Sequence, residues 1–149
     1  MSTENSQDLC FVANGIPVEI RELDIHGRDG QFYDPACAIM QEAFDLSPDE
    51  IEISIDNTRR QVFGRVEQNE LVSVALVSLV GENAIISYLA TADHLRGQSR
   101  GSSLLKGFET ICRQRQIETV SLYCKDENRY DFYARHGYTQ VGDSFRKSL

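Results

Sequence analysis

The chain has 149 residues, of which 41% are hydrophobic and 26% charged, the balance of a soluble globular protein with a buried core. Its formal net charge of −8 argues against a general nucleic-acid binder and against a protein that adheres to anionic membranes. An acidic surface suits a cationic or amine-bearing ligand, although such a surface more often serves solubility alone.

The sequence also indicates a compartment and the state of the cysteines. No apolar run reaches membrane-spanning length, and the start MSTENSQD is unlike a signal peptide, so we expect a cytoplasmic protein. We expect a single domain over residues 1–149, with residues 1–8 loosely ordered. The four cysteines form no CxxC pair and have no histidine at zinc spacing, which predicts no metal site. Cys112 and Cys124 are expected to be buried and reduced.

The N-terminal part of the chain predicts a hairpin, a strand and two helices. Asn14-Gly15 lies between two short apolar runs, which is typical of a hairpin turn, and Val18 to Leu23 is predicted to be a strand. Asp34 followed by Pro35 predicts the N-cap and the first residue of a helix. The segment 47–50, Ser-Pro-Asp-Glu, predicts the capping box of a second, short helix.

The remaining chain predicts strands that alternate with two further helices. The predicted strands cover residues 61–67, 71–80, 84–90, 119–124 and 138–145. One predicted helix follows the loop at 96–101, and the other runs from Asp126 to His136 and ends at Gly137. This order gives a mixed sheet with helices on both faces, of the α/β or α+β class.

The segment from Ala84 to Cys112 combines a buried strand, a loop rich in Gly, Ser and Arg, and an amphipathic helix. The first turn of a helix has unpaired N–H groups and a dipole that favours an anion. Gly97 and Gly101 let the backbone approach a ligand closely, and Arg96 and Arg100 can pair with phosphate oxygens. The segment therefore predicts a phosphate site, although it matches neither GxxxxGK[ST] nor GxGxxG.

Two motifs carry a resemblance to a known family. The loop Arg96-Gly97-Gln98-Ser99-Arg100-Gly101 resembles the acyl-CoA loop, [RQ]-x-x-G-x-[GA], of the GNAT superfamily of acyl-CoA-dependent N-acyltransferases. Ser99 stands where that family usually has glycine. The segment Asp131 to Tyr138 resembles the family's late signature, an aromatic-Tyr pair followed by a helix end at glycine and another aromatic. The two motifs follow in the order and at the spacing of the family, and together they predict an N-acetyltransferase domain.

The resemblance implies a fold, a co-substrate and a set of binding residues. It implies a mixed, mostly antiparallel sheet in which two parallel strands, Ala84 to Ala90 and Thr119 to Cys124, splay apart to admit acetyl-CoA as acyl donor. The coenzyme-binding residues that it implies are Leu89, Ala90, Thr91, Arg96, Gly97, Gln98, Ser99, Arg100, Gly101, Ser102 and Asn128. Backbone groups of the first three would pair with the pantetheine arm like an added strand. Asn128 is equally a candidate for helix capping.

Acyl transfer from a thioester to an amine needs no enzyme nucleophile, and the sequence contains no GxSxG signature. The resemblance implies that Tyr133 is the tyrosine that donates a proton to the coenzyme A sulfur, and a phenol with a pKa of about 10 is protonated at neutral pH. Tyr133 is alternatively one of several core aromatics. No general base is predicted, because Glu70, Asp93 and His94 fit turn or solvent-facing positions. His136 is expected to be structural, with a charge that suits a helix C-terminus.

The leading hypothesis is an enzyme that moves an acetyl group from acetyl-CoA to a primary amine of a small molecule or a protein. The alternative is a regulatory module of the same fold that binds acyl-CoA with little or no catalysis, which Ser99 keeps open. An unrelated nucleotide-binding α/β protein is disfavoured by the two failed phosphate patterns. The expected partner is an amine-bearing acceptor, with no nucleic acid and no membrane, and the sequence leaves open a homodimer.

Overall fold

The computed structural model describes residues 9–57, 59–92, 95 and 100–149. The strands are β1 Leu9–Ala13, β2 Ile16–Leu23, β3 Gln61–Glu67, β4 Glu70–Val80, β5 Asn83–Thr91, β6 Thr119–Tyr123, β7 Thr139–Val141 and β8 Ser144–Ser148. The helices are α1 Tyr33–Phe44, α2 Pro48–Ile55, α3 Arg100–Gln114 and α4 Tyr130–Arg135, with short 3-10 turns at Gly30–Phe32 and Glu127–Arg129. The predicted mixed class is confirmed.

The strands of the described residues form one sheet in the order β1-β2-β3-β4-β5-β6-β8-β7. Its neighbours are antiparallel except for β5 and β6, which run parallel. The parallel pairing joins Asn83–Ile86 to Thr119–Leu122 and goes no further, although β5 continues to Thr91. Among the described residues, the edge of β5 that faces β6 therefore has no strand partner beyond Ile86, as the predicted splay requires.

A β-bulge interrupts β5 at the point where the two parallel strands separate. Leu76 of β4 lies opposite Tyr88, while the next residue, Val77, lies opposite Ile86, so Ser87 has no partner of its own. An extra residue of this kind bends its strand and increases the local twist. The bulge therefore turns the end of β5 away from β6.

The two faces of the sheet are covered by different helices. On one face α3 buries an apolar stripe that includes Leu104, Phe108 and Ile111, in one cluster with Phe63 and Phe145. On the other face α1 and α2 pack against residues of β3, β4 and β5 in a second cluster. Period-two alternation along the strands sends neighbouring residues to opposite clusters. Cys112 and Cys124 are buried free thiols, as predicted.

The predicted start of α1 is wrong. The helix begins at Tyr33, its N-cap position is Phe32 without a side-chain hydrogen bond, and Asp34 lies inside the first turn. The 3-10 turn at Gly30–Phe32 runs directly into the helix, so the backbone is already helical before Asp34 is reached. In contrast, the capping box of α2 is confirmed, because the Ser47 hydroxyl accepts from the Glu50 N–H while the Glu50 carboxylate accepts from the Ser47 N–H.

Two C-terminal boundaries also differ from prediction. The helix predicted over 126–136 is divided into the 3-10 turn Glu127–Arg129 and α4. The single strand predicted over 138–145 is a hairpin of β7 and β8, because the chain reverses at Gly142, whose φ of +62° suits glycine. The stop at Gly137 agrees with its φ of +87°.

Candidate active site

The end of β5 meets the first turn of α3 and the start of α4 around a cavity of about 250 Å³, which we call the smaller cavity. Predicted site residues from three separate stretches of sequence line it together. They are Leu89, Ala90 and Thr91 of β5, Gly101 of α3, Asn128 of the 3-10 turn and Tyr133 of α4. Of the predicted residues that the structure describes, only Arg100 and Ser102 do not line this cavity.

Part of the predicted coenzyme loop lies outside the described residues. This applies to Arg96, Gly97, Gln98 and Ser99, and also to Asp93 and His94. Glu70, the remaining general-base candidate, lines a different cavity between α1 and the start of β4, together with Leu71 and Ala92. Tyr133 does not line that cavity.

The first turn of α3 lies very close to the end of β5. A Cβ built on Gly101 would lie 3.2 Å from Oγ1 of Thr91, closer than ordinary side-chain packing. The Thr91 hydroxyl also lies 3.1 Å from the hydroxyl of Ser73. Glycine at position 101 therefore lets the first turn of α3 pack close against the end of β5.

Tyr133 is a core residue that also faces open space. It is 6% exposed and packs against the rings of Phe132, Tyr138 and Phe145 at centroid distances of 5.1, 5.9 and 5.5 Å. Within the described part of the chain its hydroxyl makes no hydrogen bond. Burial, followed by the nearby Cys124 thiol, raises the pKa of Tyr133 to about 12. The phenol is therefore protonated at neutral pH.

A larger cavity of about 480 Å³ occupies the gap where β5 and β6 separate. It shares Ala43, Leu89, Arg129 and Tyr133 with the smaller cavity, so the two are adjacent. Its other lining residues are Phe44, Asp45, Ile86, Ser87, Tyr88, Leu122, Tyr123, Cys124, Lys125 and Asp126. Tyr133 lies at the boundary between a cavity next to the α3 N-terminus and a cavity next to the end of α1.

The predicted phosphate ligand Arg100 is part of an ion-pair network. Its guanidinium donates to both carboxylate oxygens of Glu67 at 2.9 and 3.2 Å, and Arg65 donates to the same carboxylate at 2.8 Å. Arg65 also donates to the Ser103 hydroxyl in the first turn of α3. Burial alone would raise the pKa of Glu67, but the hydrogen bonds from Arg100 and Arg65 hold it below the ordinary value. The network brings the Arg65 and Arg100 guanidinium groups and the Glu67 carboxylate together beside the first turn of α3.

Ser102, the other predicted residue away from the smaller cavity, joins α3 to the end of α4. Its hydroxyl lies 2.9 Å from Nε2 of His136. Burial, followed by the nearby Lys106, lowers the pKa of His136, so the expected positive charge at the helix end is disfavoured at neutral pH. The neutral imidazole of His136 therefore acts as a hydrogen-bonding partner of the Ser102 hydroxyl and carries no charge that could interact with the helix dipole.

Arg129 and Phe44 are site residues that the sequence did not reveal. The guanidinium carbon of Arg129 lies 5.0 Å from the centroid of the Phe44 ring, which in turn packs edge-on against Tyr88 at 5.0 Å. These contacts connect the end of α1 to the 3-10 turn across the gap between β5 and β6. Phe44 is visible in the sequence only as part of the apolar stripe of α1, and nothing in the pattern around Arg129 marks it.

The described residues contain no group of three or more His, Cys, Asp or Glu side chains that could hold a metal ion. Within the same residues, every helix is too short or too polar to cross a membrane.

Comparison with known families agrees with this geometry. The model of the acetyltransferase (GNAT) domain matches residues 30–148, which is most of the chain. The chain therefore belongs to the GNAT acetyltransferase family, and the prediction of that family is confirmed. Comparison with curated protein sequences gave no match.

Solved structures of acetyltransferases share the fold at low sequence identity. Tetrahymena Gcn5 is 11% identical with a TM-score of 0.75, and the match covers 87% of this chain and 94% of that one. The PaiA N-acetyltransferase of Thermoplasma acidophilum, solved in complex with coenzyme A, is 18% identical with a TM-score of 0.64 over 89% and 99% of the chains. The ribosomal-protein-S18-alanine N-acetyltransferase of Escherichia coli is 15% identical with a TM-score of 0.69 over 89% and 92%.

Proposed function

We propose that this chain is an N-acyltransferase that moves an acetyl group from acetyl-CoA to a primary amine by direct attack. The observation that carries the proposal is the smaller cavity, where Gly101 of the predicted coenzyme loop, the end of β5 and Tyr133 meet. Membership of the GNAT family and the coenzyme A bound to the PaiA relative support acyl-CoA as the donor.

In this proposal the first turn of α3 binds the phosphates of the coenzyme. Gly101 lets this turn approach the end of β5 closely, and the guanidinium groups of Arg65 and Arg100, joined through the Glu67 carboxylate, lie beside it. Arg96 to Ser102 would complete the phosphate site, as the family resemblance implies. Among the described residues no strand pairs with the β6-facing edge of β5 beyond Ile86, so the backbone of Leu89 and Ala90 is available to the pantetheine arm, which would add to β5 like a further strand.

This binding mode leads the thioester to the boundary between the two cavities, where Tyr133 lies. The neutral amine attacks the thioester carbonyl, the new C–N bond forms and the C–S bond breaks. The thiolate takes a proton from the Tyr133 hydroxyl, which regains it from solvent, and the amine loses its extra proton to solvent. The raised pKa of Tyr133 keeps the donor protonated at neutral pH.

An acyl-CoA-binding module with little or no catalysis is the second candidate, because Ser99 departs from the usual glycine. Two measurements on the wild-type protein separate the candidates. The first is the shift in melting temperature with acetyl-CoA, and the second is free-thiol release from acetyl-CoA with a panel of primary amines. The enzyme predicts stabilisation and amine-dependent thiol release. Stabilisation without release on any amine favours the module, and no stabilisation contradicts both.

A further inference from the structure

The larger cavity is lined by Arg129, whose side chain donates no hydrogen bond to any other described residue. Arg129 is held by the Phe44 ring, 5.0 Å from its guanidinium carbon, and by Asp126, whose Oδ2 lies 3.6 Å from its Nε. Throughout the part of the chain that the structure describes, the terminal amino groups of Arg129 donate no hydrogen bond. The side chain is nevertheless only 36% exposed. A half-buried guanidinium with unused parallel donors is suited to a carboxylate or a phosphate ligand.

The position of the guanidinium decides between the two cavities that Arg129 lines. Phe44 and Asp126, which fix it, both line the larger cavity, and neither lines the smaller one. The smaller cavity is the one beside Gly101 and the α3 N-terminus, where the coenzyme phosphates are proposed to bind. The residues that fix the Arg129 guanidinium therefore belong to the larger cavity, away from the proposed site of the coenzyme phosphates.

The charges of the larger cavity indicate what kind of acceptor fits. Asp45 and Asp126 contribute two carboxylates, while Lys125 and Arg129 contribute two cations. A polyamine would be favoured by an excess of carboxylates, which this cavity lacks. A molecule that carries both an amine and a carboxylate matches both signs of charge. The aromatic side chains Phe44, Tyr88 and Tyr123 add apolar surface for its side chain.

We propose that the acceptor is an amino acid, and that Arg129 binds its carboxylate while its amine lies toward Tyr133. This inference rests on the proposed function for the identity of the reaction, but the carboxylate site can be tested by binding alone. It also predicts that a primary amine without a nearby carboxylate is a poor acceptor.

The test measures affinity and turnover separately. Calorimetry gives the affinity of the coenzyme A-saturated protein for each of the twenty common L-amino acids, and the best binder is compared with its own carboxamide. A hydrogen bond to a charged group contributes more free energy than a bond between neutral groups. We therefore expect the free acid to bind about 10- to 100-fold more tightly than its carboxamide. Arg129→Gln should abolish this preference, and Arg129→Lys should retain part of it. Thiol release from acetyl-CoA is then measured on the same acid and carboxamide.

Arg135→Gln is the matched control, because Arg135 is an exposed arginine of α4 that donates to the Asp131 carbonyl and lines neither cavity. It should leave the preference unchanged. The inference is overturned if no amino acid binds, if acid and carboxamide bind equally, or if Arg129→Gln weakens coenzyme A binding instead. A preference without thiol release supports the carboxylate site and contradicts the transferase proposal. Thiol release without a preference for the acid supports the transferase proposal and contradicts the carboxylate site.

Discussion

The ion-pair network between β3 and α3 gives a prediction whose size follows from its geometry. Glu67→Gln removes the charge that accepts three hydrogen bonds, at 2.8, 2.9 and 3.2 Å, from Arg65 and Arg100. Glutamine keeps one acceptor oxygen, so about two charge-assisted bonds are lost at about 1.5 kcal/mol or more each. The side chains of Glu67 and Arg65 are only 11% and 9% exposed, so solvent replaces little of this loss. We expect a destabilisation of about 3 kcal/mol, or about 6–12 °C in melting temperature.

The same substitution has a defined pH dependence. Burial alone would raise the pKa of Glu67, but the two arginines hold it below the ordinary value of 4.5. A carboxylate whose pKa is lower in the folded state stabilises the protein above the unfolded pKa and loses that contribution as the pH falls through the folded pKa. The difference in free energy of unfolding between wild type and Glu67→Gln should therefore be largest near neutral pH and decrease below a pH of about 4.5.

The assay is thermal or chemical unfolding of both proteins, with Glu22→Gln as the control. Glu22 pairs with Arg115 at 2.8 Å, but these side chains are 38% and 24% exposed, and such a surface pair contributes about 1 kcal/mol or less. If Glu67→Gln loses no more stability than Glu22→Gln, the predicted contribution of the ion-pair network is refuted.

Two glycines give further predictions. Gly101→Val should weaken coenzyme A binding at least about 10-fold, because even the Cβ would lie 3.2 Å from Oγ1 of Thr91 and the valine branches would enter the proposed phosphate site. Calorimetry measures the affinity for coenzyme A, and an unchanged affinity would contradict that site. Gly107→Ala should destabilise the protein by about 1–3 kcal/mol, because the new Cβ would lie 2.7 Å from Cδ1 of Ile20 on β2. Denaturant unfolding measures the free energy of unfolding, and an unchanged value would mean that α3 is free to move outward.

The fold was predictable from the sequence where its signals are local. The capping box of α2 depends on residues three positions apart, and the buried runs of β3 and β4 are visible within each strand. The start of α1 was missed because it depends on the preceding 3-10 turn, which has no distinct composition. The hairpin of β7 and β8 was not predicted, because the segment resembles one continuous strand and only Gly142 and Asp143 mark the turn.

The site was predictable only where a contiguous motif marks it. The cluster of Thr91, Gly101 and Tyr133 around one cavity was expected from two motifs and their order. The pairing of Arg100 with Glu67 joins positions 33 residues apart, and neither spacing nor composition indicates it. The contact of Arg129 with Phe44 is similarly non-local, because it exists only after the sheet brings α1 and the 3-10 turn to the same gap.

The most direct test of the acyl-transfer proposal compares Tyr133→Phe with Tyr130→Phe. Both tyrosines lie on α4, but the Tyr130 hydroxyl donates to Asp143 at 3.1 Å, and Tyr130 lines neither cavity. With the best amine acceptor, Tyr133→Phe should lower kcat about 100-fold or more while the Kd of acetyl-CoA stays within about 3-fold, and Tyr130→Phe should change neither. An unchanged kcat for Tyr133→Phe, or equal losses in both variants, would contradict the role of Tyr133 as proton donor.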